Sequence, residues 1–199
     1  MKGVLYDWGG LNLWLFHLIN DLRAPWLDDF MRLGSWLGDP DRCGILLAAA
    51  VLWLWVNAQR PGRQAQTSAL LTTLAVFSAG YVLDGLLVSG LKTALDFPRP
   101  PRVLPPDTLH VIGEAAFNRS LPSGHAAFSM LAAASFWPRA NHPWRLALVL
   151  FVIWVGLSRV SLGAHFPADV VAGWMLAFSV VRLLYRGAEY RQKRQAGEQ

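Results

Sequence analysis

The chain is expected to fold as an all-α, polytopic membrane helix bundle of about five transmembrane helices, with amphipathic interfacial helices at its N-terminus. Three features predict this: 54% hydrophobic content over 199 residues, ten tryptophans, and a single cysteine, Cys43. So much apolar side chain exceeds what the core of one soluble domain needs. One cysteine excludes an internal disulfide, so packing in lipid must supply the stability. The formal charge of +5 is split among short connectors and a tail between apolar runs, which fits membrane topology and argues against nucleic acid as a partner. No signal peptide is expected, because Leu11 to Ile19 is short, lacks a strongly basic start and is followed by no small-residue cleavage site.

Residues 1–42 read as the interfacial segment. Leu13, Trp14, Phe16, Leu18 and Ile19, then Trp26, Leu27, Phe30, Met31 and Leu33, are broken by Asp21, Asp28 and Asp29. Each run is shorter than the roughly 20 residues of a crossing helix, and Gly38, Asp39 and Pro40 end the segment. Trp8, Trp14, Trp26 and Trp36 fit an interfacial belt. The transmembrane unit is expected over 43–185, with spans from Cys43 to Ala58, Ser68 to Leu95, Ser123 to Trp137, Trp144 to Gly163 and Pro167 to Tyr185. Pro167 suits a first helical position. Asp84 and Lys92 interrupt the second span, and an ionisable group inside a span needs a partner.

The loop from Asp96 to Leu121 carries Pro98, Pro100, Pro101, Pro105 and Pro106 and cannot be helical throughout. His110 and Glu114 within it read as surface residues. The third span, at a rise of about 1.5 Å per residue, reaches only about 22 Å against a hydrocarbon core of about 30 Å, so its N-terminal end is expected to lie recessed. Residues 186–199 read as an exposed basic tail. Arg60 and Arg63, Arg139 and Arg145, and this tail fall on one side, which the positive-inside rule makes cytoplasmic. The proline-rich loop then faces outward from a bacterial-type inner membrane.

Chemistry concentrates at span ends. Pro122, Ser123, Gly124 and His125 stand where a polar loop becomes an apolar helix, and serine there is a favoured N-cap. A helix start attracts anions, and Gly124 lets an oxyanion approach the backbone closely. Taken alone, Lys92 fits a side chain snorkelling to the interface, Arg99 a solvated loop charge, His165 a helix cap, and Asp169 an answer to a helix dipole. Arg159 fits less easily, since a charge at a span's end needs a partner or the interface. Alternating span direction brings these ends to one face. Lys92, Arg99 and Arg159 then crowd together with two histidines and too few acids to neutralise them, a set suited to a dianionic phosphate.

These segments are KTALDFPRP from Lys92 to Pro100, PSGH from Pro122 to His125, and SRVSLGAHFPAD from Ser158 to Asp169. They resemble the three-part signature of the type 2 phosphatidic acid phosphatase superfamily, Lys-x6-Arg-Pro, Pro-Ser-Gly-His and Ser-Arg-x5-His-x3-Asp, at every specified position. The resemblance implies that His165 is the nucleophile, forming a phosphohistidine, that Asp169 holds its ring, and that His125 is the general acid for the leaving oxygen. Lys92, Arg99, Ser123, the Gly124 backbone and Arg159 would bind the phosphoryl oxygens.

The compact layout resembles the bacterial undecaprenyl diphosphate phosphatases of this superfamily, so a lipid phosphate in the bilayer is the expected partner and undecaprenyl diphosphate the leading substrate. Phosphatidic acid, phosphatidylglycerol phosphate, lipid A phosphate and transfer to a lipid hydroxyl are the enzymatic alternatives. An anion or lipid-headgroup transporter would explain the cations but not the pairing of His165 with Asp169. No acidic cluster has metal-ligand spacing, so neither metal nor cofactor is expected.

Overall fold

The computed structural model describes residues 6–42, 52, 56 and 64–197. The expected span Cys43 to Ala58 and the Arg60/Arg63 connector lie almost wholly outside them. The main helices are α1 (Leu11–Asn20), α2 (Pro25–Leu37), α3 (Gln64–Leu95), α4 (Gly124–Phe136), α5 (His142–Ser161) and α6 (Pro167–Gly197). There is no strand among the described residues. Among the described residues, three stretches are long and apolar enough to cross a membrane: Leu70–Val103, His142–Ser161 and Pro167–Arg191.

The short helix α4 is the hub, packed against α3, α5 and α6. Its 13 residues reach about 20 Å at a rise of about 1.5 Å each, so it spans only part of a bilayer core. Small residues let its neighbours close in, as helix packing in lipid requires. Ala127, Phe128 and Leu131 of α4 meet Val76, Phe77 and Val88 of α3 and Ala177 and Val181 of α6. At Gly173 of α6, a Cβ would lie 2.5 Å from the Ser123 carbonyl oxygen and 3.1 Å from the Ala127 nitrogen. Only glycine admits this approach of α6 to the start of α4.

The N-terminal helices are integrated into the bundle. Helix α1 packs against α5 and α6, and α2 against α5. In α1 the amphipathicity is inside out: Asn12, Phe16 and Asn20 are buried, while Leu11, Leu13, Trp14 and Leu18 are exposed. The inward amides have work to do. Asn12 Oδ1 accepts from the Ala168 N–H at 2.9 Å. Asn20 accepts from the His110 N–H at 2.8 Å and donates to the His110 and Ser161 carbonyls at 2.8 and 2.9 Å. The outward apolar face suits contact with lipid. Helix α2 is fastened by Phe30 stacked on Trp154 at 4.4 Å, with the Trp154 indole N–H donating to the Phe30 carbonyl at 3.2 Å.

One side-chain contact and one boundary differ from expectation. Ser123 holds the N-cap position of α4 with extended backbone, but its hydroxyl makes no capping bond. And α6 continues through the expected tail to Gly197, because the Arg, Gln, Lys, Ala and Glu residues there are good helix formers.

Candidate active site

Three loop-to-helix junctions place the functional side chains on one face. The turn after α5 closes at Gly163, whose φ of +71° lies in the left-handed region that glycine adopts freely. A Cβ there would sit 2.3 Å from the His110 carbonyl oxygen. This turn delivers His165 just before Pro167 opens α6, and Asp169 follows in its first turn.

His165 and Asp169 are 2% and 0% exposed. Asp169 Oδ2 lies 3.3 Å from His165 Nδ1, which assigns the ring proton to Nδ1 and leaves the Nε2 lone pair for chemistry. Other donors fix the carboxylate. Ser120 Oγ donates to Oδ2 at 2.5 Å and the Phe166 N–H donates to it at 2.9 Å, while the Tyr6 hydroxyl donates to Oδ1 at 2.9 Å. Ser120 Oγ also lies 3.4 Å from His165 Nδ1. Burial, the largest cause, pushes the His165 imidazole down to about 4, against an opposing pull from Asp169. The ring is therefore neutral and nucleophilic near pH 7. Burial and the Asp169 charge push the Tyr6 phenol well above its usual range, so it remains a donor.

The cations gather opposite. Lys92 Nζ stands over the start of α4, 4.0 Å from the point a Cβ on Gly124 would occupy. Arg99 donates from Nε to the Asn118 carbonyl at 3.0 Å and from Nη1 to the Ala164 carbonyl at 3.3 Å. Arg159 Nη1 donates to Ser35 Oγ of α2, and Asp39 lies within its electrostatic range. Arg159 Nε and Ser123 Oγ are buried with no hydrogen-bond partner among the described residues. Buried donors left this way are open to an acceptor from solvent or ligand. His125, partly buried, has Arg159, Lys92 and Arg99 as charged neighbours and the His165 ring close by. With Arg99 and Arg159 it lines a cavity of about 650 Å³.

All eight residues singled out from the sequence, Lys92, Arg99, Ser123, Gly124, His125, Arg159, His165 and Asp169, thus belong to one face. Asp84, 5% exposed, lies two helical turns from Lys92 on the same face of α3, and its Oδ1 has no partner among the described residues. Sequence reasoning missed Tyr6, Ser35 and Ser120. Ser120 was within reach, two residues ahead of Pro122. Tyr6 and Ser35 carry no local signal. Glu114 and Trp36 both line the cavity, and His110 acts through its backbone.

Arranged so, the site can offer a neutral imidazole to an electrophile, a second imidazole beside it, and three cations to a multiply charged oxyanion. Among the described residues, no group of three His, Cys, Asp or Glu side chains converges as metal ligands.

Comparison with known proteins points the same way. Lipid A 1-phosphatase of Rhizobium etli is 38% identical over 126 residues, which cover 55% of this chain and 44% of that protein. The chain therefore spans less than half the length of that relative. Undecaprenyl-diphosphatase BcrC of Bacillus subtilis is 29% identical over 143 residues, 71% of this chain and 65% of the relative. The crystal structure of Aquifex aeolicus LpxE superposes with a TM-score of 0.74 at 27% identity, covering 88% of this chain and 95% of that one. Residues 69–193 match the model of the PAP2 superfamily, and with more than half its length so matched the chain belongs to that superfamily.

Proposed function

We propose that the protein is an integral-membrane phosphatase that hydrolyses lipid phosphomonoesters or diphosphates through a phosphohistidine at His165. The observation that carries this reading is the buried His165–Asp169 pair, with Nδ1 turned to the carboxylate at 3.3 Å and Nε2 left for attack. The Nε2 lone pair forms a bond to phosphorus as the bond to the leaving oxygen breaks, and His125 gives that oxygen its proton. Water then attacks the phosphohistidine, His125 takes the proton back, and inorganic phosphate leaves with His165 restored. Asp169 orients the ring and stabilises its positive charge. Lys92, Arg99, Arg159, Ser123 and the Gly124 N–H hold the phosphoryl oxygens as charge builds on them, the main demand of phosphoryl transfer.

The names of the relatives support a lipid substrate and set lipid A phosphate beside undecaprenyl diphosphate as a leading candidate. The loop charges support an outward-facing site in a bacterial-type inner membrane. The test is phosphate release by purified protein across a panel of lipid phosphates and diphosphates, with His165→Ala as control. Release by the wild type, its loss in a folded His165→Ala protein, and acid-labile phosphate trapped only on the wild type are the expected results. Labelled phosphate appearing on a lipid hydroxyl instead of in solution would replace hydrolysis by transfer.

A further inference from the structure

The two histidines differ in what they face. His165 is buried against Asp169. His125 opens onto the cavity of about 650 Å³, which continues outward to Arg32, Trp36, Asp39 and Arg42 at the end of α2 and to Glu114 of the loop. In an in-line displacement the leaving oxygen lies opposite the nucleophile, and the group that protonates it lies beside it. On the phosphatase reading, the leaving group therefore points into this cavity.

The far wall is charged. Arg32 pairs with Asp29 and Arg42 with Asp39, both at 3.5 Å, and the two arginine side chains are 61% and 46% exposed. The Arg42 guanidinium also lies 4.5 Å from the Trp36 ring centre. Solvent-accessible ion pairs of this kind contribute little to stability, so either arginine can leave its aspartate for a ligand oxygen at little cost. The volume is that of a small-molecule site and exceeds what one phosphoryl group fills. A hydrocarbon chain laid here would strip water from these charges and return no hydrogen bonds.

We propose that this wall is a headgroup subsite, and that the protein favours lipid phosphates whose leaving group continues in polar oxygens, those of a second phosphate or a sugar, over phosphate esterified directly to a hydrocarbon chain. The proposal rests on the phosphatase reading and deepens it. Arg32 and Arg42 grip the leaving group's oxygens, Trp36 supplies a flat face, and Asp39 and Glu114 accept from any hydroxyls.

The test compares kcat/KM in detergent micelles for a polyprenyl diphosphate, the polyprenyl monophosphate with the same tail, and a glycolipid carrying a sugar 1-phosphate. Wild-type protein is measured beside the Arg32→Gln/Arg42→Gln double variant. The expected result is a wild-type preference of about tenfold or more for at least one polar-headgroup substrate over the monophosphate, collapsing to about threefold or less in the variant, mainly through KM. Collapse for the diphosphate alone identifies a second phosphate as the ligand, and for the glycolipid alone a sugar. Retained monophosphate turnover reports that the variant is folded. Equal wild-type turnover of all three substrates, or an equal loss on all three in the variant, overturns the subsite while leaving the phosphatase reading intact. Phosphate release from none of them overturns the subsite, and release from neither these nor phosphatidic acid and phosphatidylglycerol phosphate overturns both.

Discussion

The Tyr6 hydroxyl donates a 2.9 Å hydrogen bond to Asp169 Oδ1, joining residues 163 positions apart. A bond to a charged acceptor is typically worth about 1.5–3 kcal/mol, and this one sets the orientation of the carboxylate that holds His165. Tyr6→Phe keeps the ring against Phe97, 4.6 Å away between centres, and removes only the donor. We expect kcat to fall about tenfold with KM changed less than about twofold. Steady-state kinetics of Tyr6→Phe beside Tyr6→Leu checks it: a loss seen only in the leucine variant would assign the residue to packing.

The pH behaviour of His165 follows from its burial. Its pKa in the fold is about 4, below its ordinary 6.5, so the folded state binds fewer protons than the unfolded chain between those values. This group's stabilising contribution is full above pH 6.5 and is lost as pH falls towards 4. The His165 imidazole likewise stays neutral down to about pH 4. Imidazole ¹⁵N shifts of His165 in substrate-free protein should show the neutral ring at pH 6, and a midpoint near 6.5 would contradict this.

Gly173→Ala places a methyl group 2.5 Å from the Ser123 carbonyl oxygen. The start of α4 and α6 must move apart, carrying Ser123 and His125 away from His165. Overpacking of this kind costs about 1–3 kcal/mol, and activity should fall further than stability. Thermal unfolding and phosphate release measured on one preparation separate the two losses.

On the proposed mechanism, charge stabilisation by Lys92, Arg99 and Arg159, with imidazole as nucleophile, takes the place of the metal pair of other phosphatases. Turnover should therefore be unchanged, within about twofold, by EDTA at concentrations that strip divalent cations. A loss restored by added Mg²⁺ would refute this division of labour.

The bundle and the gathering of cations and histidines on one face were legible because their signals are local. Apolar runs announce helices in lipid, and histidines, cations and an aspartate at the ends of such runs announce a polar site. The supports were not legible. Tyr6 and Ser35 reach their partners only through tertiary folding, so no spacing in the chain announces them. Asn12 and Asn20 point inward while leucine and tryptophan point outward, the reverse of the pattern by which an amphipathic helix is usually read. Ser123 looked like a cap because serine prefers that position, yet its hydroxyl stays uncommitted, consistent with a role towards substrate. Residues 186–197 read as a tail from their charge, although their helix propensity is high.

The lashing of α1 onto α5 and α6, and of α2 onto α5, means that the family-matched region leans on chain that precedes it. A fragment cut at residue 69 would forfeit Tyr6, Asn12, Asn20 and Ser35 at one stroke. It would strand the Asp169 carboxylate, the Ala168 amide, the His110 backbone and the Arg159 guanidinium without their buttresses.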